Sequence, residues 1–205
     1  MCVYTFEFVQ VNNYYAIMNR LHPKSGKLEM ILGCMFSGKS SELINRVRQH
    51  KILGRNVLVV NHISDNRYAE DSVSSHDHTT LDALCLNALT CIWEMQEYQL
   101  LDVIFINEAQ FFEDLHRFVS RSVDEDKKHV ILCGLDGDYN RMPFSQITEL
   151  IPFADVVEKR SALCIQCRDG TIASFSKRII NSDQRQLIGH TDTYIPVCRF
   201  HYLEQ

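Results

Sequence analysis

Gly33-Cys34-Met35-Phe36-Ser37-Gly38-Lys39-Ser40 fits the pattern G-x-x-x-x-G-K-[ST] at every position. No other stretch of the chain restricts its folding so tightly. The glycines let the backbone turn so that successive N–H groups point inward at an anion. A helix starting near Lys39 adds the positive end of its dipole. In such a loop Gly33, Ser37 and Gly38 shape the cradle, Lys39 reaches the β- and γ-phosphates of a nucleotide, and the Ser40 hydroxyl ligates Mg²⁺. The flanks agree. Lys27 to Leu32 reads as a strand, and Leu43, Ile44 and Val47 recur at helical spacing until Gly54 stops the helix. The bland alternative is a surface Gly-Ser loop with a solvated lysine. A four-position match arises by chance about once in a hundred such chains.

The remaining pattern belongs to one fold class. Asn56–Val60, Val103–Ile106 and Val130–Leu135 are apolar runs that read as buried strands. Between them, Leu81 to Tyr98 reads as weakly helical, Phe111 to Val123 as helix and Phe144 to Phe153 as a short helix. Asn61 to Thr80 is a long polar loop. Strands alternating with helices predict an α/β fold, a RecA-like parallel sheet with helices on both faces. After about Ala154 the texture turns to short strands and turns around cysteines. The expected organisation is therefore an extension over residues 1–26, a nucleotide-binding domain over 27–154 and a small zinc-ribbon domain over 155–205. The chain has 205 residues, 45% of them hydrophobic and 23% charged, which suffices for a sizeable core. Its net charge of -5 offers no basic field for nucleic acid or anionic lipid. The first twenty residues do not read as a signal peptide and no apolar run approaches a membrane span, so the expectation is a cytoplasmic protein.

Two further constellations carry chemistry. Asp102-Val-Ile-Phe-Ile-Asn107-Glu108 is a buried strand that ends in a polar pair, where a phosphate-loop protein keeps a second catalytic group. Glu108 suits a general base, and Asn107 stands where a carboxylate usually supports Mg²⁺. Among eight cysteines, Cys164-x-x-Cys167 and Cys198-x-x-His201 make two matched short pairs. Three thiolates and an imidazole leave a tetrahedral zinc ion no open position, so the ion is expected to be structural. Buried thiols with a surface histidine are the alternative. His76 and His78 have no cysteine or partner pair nearby in sequence and read as a solvated loop pair.

From Lys27 to His201 the chain resembles the type II thymidine kinases, the cytosolic and large-DNA-virus class. The resemblance rests on LGCMFSGKS, Asp65-Asn-Arg67-Tyr68, Ser75-His76-Asp77, Glu108-Ala-Gln110-Phe111-Phe112, Leu135-Asp-Gly-Asp-Tyr139-Asn-Arg-Met-Pro-Phe144, Phe175-Ser-Lys-Arg178 and Tyr194-Ile-Pro-Val197-Cys198-Arg199, all in order. It implies transfer of the γ-phosphate of ATP to the 5′-hydroxyl of thymidine, and deoxyuridine is a natural second substrate. It implies Glu108 as the base, Arg67 near the transferring phosphate, and Met35, Phe111, Leu135, Tyr139, Phe144 and Tyr194 around the thymine. It also implies a lasso loop over about Thr171 to Pro196 anchored by the zinc clasp, a homotetramer, and thymidine triphosphate as a feedback inhibitor. No nucleic-acid or membrane partner follows from it.

Two departures stand out. The family has Asp-Glu where this chain has Asn107-Glu108, which bears on Mg²⁺ affinity, and Tyr139 stands where Phe is common. Two other functions fit the motifs alone: a non-catalytic nucleotide-binding relative, and a nucleic-acid-stimulated ATPase with a zinc ribbon.

Overall fold

The computed structural model describes residues 25–65, 72–74, 80–180 and 192–204. The expectations for the first twenty-four residues, for Arg67 and for His76 and His78 therefore lie outside the described residues. Twelve strands follow in chain order: β1 (Lys27–Gly33), β2 (Val57–His62), β3 (Ser72–Ser74), β4 (Thr80–Asp82), β5 (Leu84–Leu86), β6 (Val103–Ile106), β7 (His129–Gly134), β8 (Val156–Arg160), β9 (Ala162–Leu163), β10 (Ile172–Ala173), β11 (Phe175–Arg178) and β12 (Tyr194–Val197). Six of them form one parallel sheet in the order β5-β2-β6-β7-β1-β8.

Strand alternation sorts the apolar residues onto two faces. Val103 and Phe105 of β6 join Ile31, Val59 and Ile131 under Leu43, Ile44 and Val47 of the helix Lys39–Ile52. Ile104 and Ile106 point the other way, into a larger cluster with Met30, Val60, Leu132, Phe112 and Phe118. Both faces are covered, which is why these strands read as continuous apolar runs. The helix ends where Gly54 takes a φ of 69° and returns its N–H to the Lys51 carbonyl.

Three expectations need correction. Residues 81–98 are not helical: β4, β5 and a 3₁₀ turn over Thr90–Glu94 replace the weak helix. Leu81 and Ala83 pack on one cluster and Leu86 on the other, a period of two that pairing with β2 exploits. The Asp114 carboxylate then accepts the N–H groups of Leu89 and Thr90 at 3.1 and 2.8 Å, supporting the turn from a distant segment. The helix expected over 111–123 is broken into a 3₁₀ turn, a helix over Leu115–Ser120 and a π-turn over Arg121–Glu125. That widening sits where the buried Ser122 hydroxyl meets the Tyr98 hydroxyl and the Trp93 indole at 3.0 and 3.3 Å. Finally, the main sheet does not stop at residue 154, because β8 pairs with β1 from Val156 to Arg160. The change of texture there marks an edge strand, whose alternation of Val, Glu, Lys and Arg reflects one open side rather than a new domain.

Beyond β8 a small lobe is made of the hairpins β9–β10 and β11–β12 and the helix Arg199–Leu203. Its core is slight: Ala162, Cys164, Ala173 and Val197, joined by Cys34 from the phosphate loop.

Candidate active site

Every catalytic candidate among the described residues sits on or just past the carboxyl end of a sheet strand, or on the lobe that follows β8. The loop after β1 turns through left-handed conformations at Phe36 (φ 63°) and Gly38 (φ 75°), the latter capping the helix start. Gly33 is required by space as well as conformation. A Cβ there would collide with the Arg160 carbonyl at the end of β8. Lys39 Nζ donates to the Cys34 carbonyl at 2.6 Å, and the Ser37 hydroxyl donates to the same oxygen at 2.8 Å. The lysine thus bridges its own loop, with its ammonium held at the cradle.

Register explains what faces the loop. Val60 of β2 lies beside Ile106 of β6, and Ile106 beside Leu132 of β7. The next residues along, Asn61, Asn107 and Cys133, therefore line up on the face that carries the Lys39–Ile52 helix. Asn107 is buried, and its Oδ1 accepts from the Cys133 thiol at 3.0 Å and the Ser40 hydroxyl at 3.4 Å. Its Nδ2 donates to Asn61 Oδ1 at 2.9 Å, and Asn61 Nδ2 donates to Asp65 Oδ2 at 3.2 Å. A hydroxyl and an amide oxygen at this separation suit neighbouring corners of an Mg²⁺ octahedron, whose ligands lie about 3 Å apart.

Glu108 follows immediately, in a left-handed conformation (φ 50°, ψ 41°) that is uncommon for a residue with a Cβ. Its carboxylate accepts from Gln110 Nε2 at 2.6 Å, and Gln110 Oε1 accepts the Leu135 N–H at 3.0 Å. Gln110 is buried and ties the carboxylate to the end of β7. Nearby, His62 packs against Phe112 and Phe111 at 4.7 and 5.7 Å and accepts the Ser64 N–H on Nδ1. Burial lowers its pKa and outweighs the raising effect of Asp65, Glu108 and Asp114.

Of the residues expected around a nucleobase, Phe144 and Tyr194 are buried, while Met35, Phe111, Leu135 and Tyr139 are half-buried. Met35 N–H donates to Ser176 Oγ of β11 at 2.9 Å, joining loop to lobe. Tyr139 and Tyr194 are brought together through Arg178, whose guanidinium lies 3.7 Å from the Tyr139 ring centre and donates to the Tyr194 hydroxyl at 2.6 Å. β11 and β12 form the stem of the expected lasso, and residues 181–191 at its far end are outside the described residues.

Cys164, Cys167, Cys198 and His201 converge, with their ligand atoms all within 4.8 Å of one another. Cys167 and Cys198 sulfurs are 3.8 Å apart, and His201 Nδ1 lies 3.3–3.5 Å from the three sulfurs. Those edges fit a tetrahedron with metal–sulfur bonds of about 2.3 Å and a metal–nitrogen bond of about 2.0 Å. Burial opposes ionisation of Cys164, but backbone N–H groups of Cys167, Cys198 and Gln166 outweigh it and take the thiol down to about 6. Burial and the neighbouring Cys164 push Cys167 up to about 11. The His201 backbone N–H lowers Cys198 as well, so of the three thiols Cys167 alone resists ionisation, a resistance that a dication would relieve.

Sequence reading passed over Asn61, Gln110 and Arg160. Gln110 lies inside a motif and Asn61 opens a polar loop, and spacing alone gives neither a role. Arg160 Nε donates to the Ser37 carbonyl at 3.3 Å, and its Nη1 pairs with Glu158 and Glu42 at 2.7 and 3.4 Å. Arg46 pairs with the same two carboxylates and with Glu29. Burial would raise the Glu29 pKa, but the Lys27 hydrogen bond and the charges of His129, Lys27 and Arg46 prevail and lower it.

A glycine-bounded phosphate loop at the end of a parallel sheet, a carboxylate on the strand end beside it and a Cys₃His lobe packed against the loop define a nucleotide-binding α/β protein of the P-loop class. Comparison with known proteins narrows that class. The thymidine kinase family profile matches residues 26–202. A thymidine kinase of Oryza sativa subsp. japonica is 42% identical over 183 residues, covering 87% of this chain and 67% of the rice protein. Thymidine kinase a of Arabidopsis thaliana is 43% identical over 182 residues, covering 87% and 76%. A thymidine kinase of Bacteroides thetaiotaomicron is 37% identical over 180 residues, covering 88% of each chain. This chain belongs to the thymidine kinase family, a family of kinases.

Proposed function

We propose that this protein transfers the γ-phosphate of ATP to the 5′-hydroxyl of thymidine, giving thymidine monophosphate. The observation that carries the proposal is the 3.4 Å approach of Ser40 Oγ to Asn107 Oδ1, which sets the strand end bearing Glu108 beside the phosphate loop. In this reading the loop N–H groups and Lys39 hold the β- and γ-phosphates. Ser40 and Asn107 hold Mg²⁺, which when bound neutralises charge on those phosphates. Glu108 takes the proton from the attacking hydroxyl, and Gln110 keeps its carboxylate aimed. Met35, Phe111, Leu135, Tyr139, Phe144 and Tyr194 form the walls for a flat base, which binds by stacking and a few backbone hydrogen bonds. Arg67 belongs to the phosphate side on the strength of the resemblance alone. Zinc is the ion that best suits Cys164, Cys167, Cys198 and His201, because three thiolates and an imidazole with no open position are its structural ligand set.

No helix among the described residues is long and apolar enough to cross a membrane, in keeping with a cytoplasmic site of action. A homotetramer and inhibition by thymidine triphosphate are part of the proposal on the strength of the resemblance.

The test is transfer of labelled γ-phosphate from ATP, with Mg²⁺ titrated, to thymidine, deoxyuridine, deoxycytidine or no nucleoside. Thymidine-dependent label in the monophosphate is expected, with weaker transfer to deoxyuridine and none to deoxycytidine. Hydrolysis that needs single-stranded DNA instead would favour an ATPase, and no turnover from folded, zinc-loaded protein would favour a non-catalytic binder.

A further inference from the structure

Asn107 is uncharged and asymmetric. A carboxylate presents oxygen at both ends, whereas an amide presents oxygen at one and two N–H donors at the other. At a cation site the difference decides whether the side chain attracts or repels the ion. Something must therefore select which end of Asn107 faces Ser40.

The selection is legible in a directional chain. The Asp65 carboxylate oxygen accepts from Asn61 at 3.2 Å, so the end of Asn61 that faces it is the amide nitrogen. That turns Asn61 Oδ1 the other way, toward Asn107. An oxygen there demands the nitrogen of Asn107, which donates to it at 2.9 Å. Asn107 Oδ1 is left facing Ser40 and Cys133, at 3.4 and 3.0 Å. Reversing Asn107 alone would set two carbonyl oxygens against each other. Reversing both amides would set the Asn61 oxygen against the Asp65 carboxylate. Asn61 and Asn107 are each 1% exposed, so water cannot rescue either arrangement. The carboxylate thus fixes the direction of both amides.

We propose that Asp65 and Asn61 are positioning residues that hold Asn107 oxygen-first toward Ser40, letting an amide serve where a carboxylate would otherwise support the nucleotide-bound cation. The Asp65 carboxylate, just past the end of β2, acts on Asn107 only through the Asn61 amide. The proposal rests on the phosphotransfer reading, since it presumes a cation at Ser40 and Asn107.

The test uses full-length protein and no turnover. Mn²⁺ is titrated into protein saturated with ADP and the free ion is followed by electron paramagnetic resonance. ADP affinity without metal is measured separately by calorimetry. Asn61→Leu is close in size and removes the acceptor for Asn107, and Asp65→Ala removes the anchor of the chain from a less buried position. Each should weaken Mn²⁺ binding by about 10-fold or more, the usual cost of losing a partner that orients a metal ligand. Metal-free ADP affinity should stay within about twofold, because the loop N–H groups are untouched. In an Asn107→Asp background the same substitutions should cost less than about threefold, since a symmetric carboxylate needs no orienting, and that shortfall is the coupling a double-mutant cycle reads. Equal losses in both backgrounds would overturn the proposal and leave the pair a structural role, as would undiminished Mn²⁺ binding in the single variants. If the native protein binds ADP but takes up no Mn²⁺ with it, both the proposal and the phosphotransfer reading fall.

Discussion

Glu108 is held in a way that few side chains in the molecule are. Its backbone occupies the left-handed region at φ 50°, a conformation that costs about 1 kcal/mol or more for an L-residue and persists only where surroundings impose it. Gln110 supplies one such constraint, gripping the carboxylate at 2.6 Å with its nitrogen while its oxygen takes the Leu135 N–H. The buried neutral ring of His62 lies on the same side and adds no fixed charge of its own. In the proposed reaction this arrangement would aim the carboxylate as proton acceptor. Glu108→Gln preserves the shape and an acceptor for Gln110 but cannot accept a proton to any useful extent. Turnover should fall by about 10²–10⁴, the range for loss of a general base, with thymidine and ADP affinities changed by less than about threefold. Steady-state kinetics beside calorimetry separates the two quantities, and a variant that keeps its turnover would remove Glu108 from the chemistry.

At the scale of elements, β8 reaches across to the phosphate loop. A peptide group's carbonyl and the following N–H point in opposite directions. By donating to the Ser37 carbonyl at 3.3 Å, Arg160 turns the N–H of Gly38 away from itself and toward the cradle. Glu158 and Glu42 hold the guanidinium in place, and Arg46 holds those carboxylates to β1. Arg160→Leu should therefore raise the KM for ATP by about 5- to 20-fold, from one lost charge-assisted hydrogen bond of roughly 1–2 kcal/mol. The KM for thymidine should be nearly unchanged. A parallel rise in both would show a general loosening instead. Arg160 also shows where sequence reading stops. The loop itself, β1, β6 and β7 were legible, because an eight-residue motif and uninterrupted apolar runs report local requirements. The Glu108 carboxylate was legible for the same reason, as a polar pair closing such a run. Residues 81–98 were not, because their two-residue period is short and their turn is completed by Asp114 from another segment. Asn61 meets Asn107 and Arg160 meets Ser37 through strand register, β2 on β6 and β8 on β1, which brings together residues 46 and 123 positions apart. No spacing within the chain announces such contacts.

At the scale of the molecule, the described residues bury their apolar side chains in two large clusters about the sheet and a slight one in the lobe, which includes Cys34 of the phosphate loop. The sheet buries Tyr98, Phe105, Phe112 and Phe118 and a dozen or more aliphatic side chains, each contributing about 1.5–3 kcal/mol by transfer from water. The lobe buries Ala162, Cys164, Ala173 and Val197 around Cys34, too little to offset an ordering cost of about 1–2 kcal/mol for every residue fixed. The convergence of Cys164, Cys167, Cys198 and His201 is what the lobe has in place of a core, and a structural zinc ion contributes on the order of 10 kcal/mol or more in small domains. Removing the ion with a chelator under reducing conditions should therefore unfold the lobe and leave the sheet. Far-ultraviolet circular dichroism should change little. Thermal unfolding of the sheet should survive as a cooperative transition, while thymidine affinity, which the proposed function rests in part on Tyr194 of β12, should fall by at least about 10-fold. ADP affinity should fall less, by about two- to fivefold, because the lobe braces the loop from outside, through Met35 N–H on Ser176, Cys34 Sγ on the Ala173 carbonyl and the packing of Phe36, and supplies none of the loop N–H groups. Stoichiometric zinc should restore both. If thymidine still binds with its original affinity once metal analysis shows the ion gone, the lobe stands without its clasp and the four ligands have some other purpose.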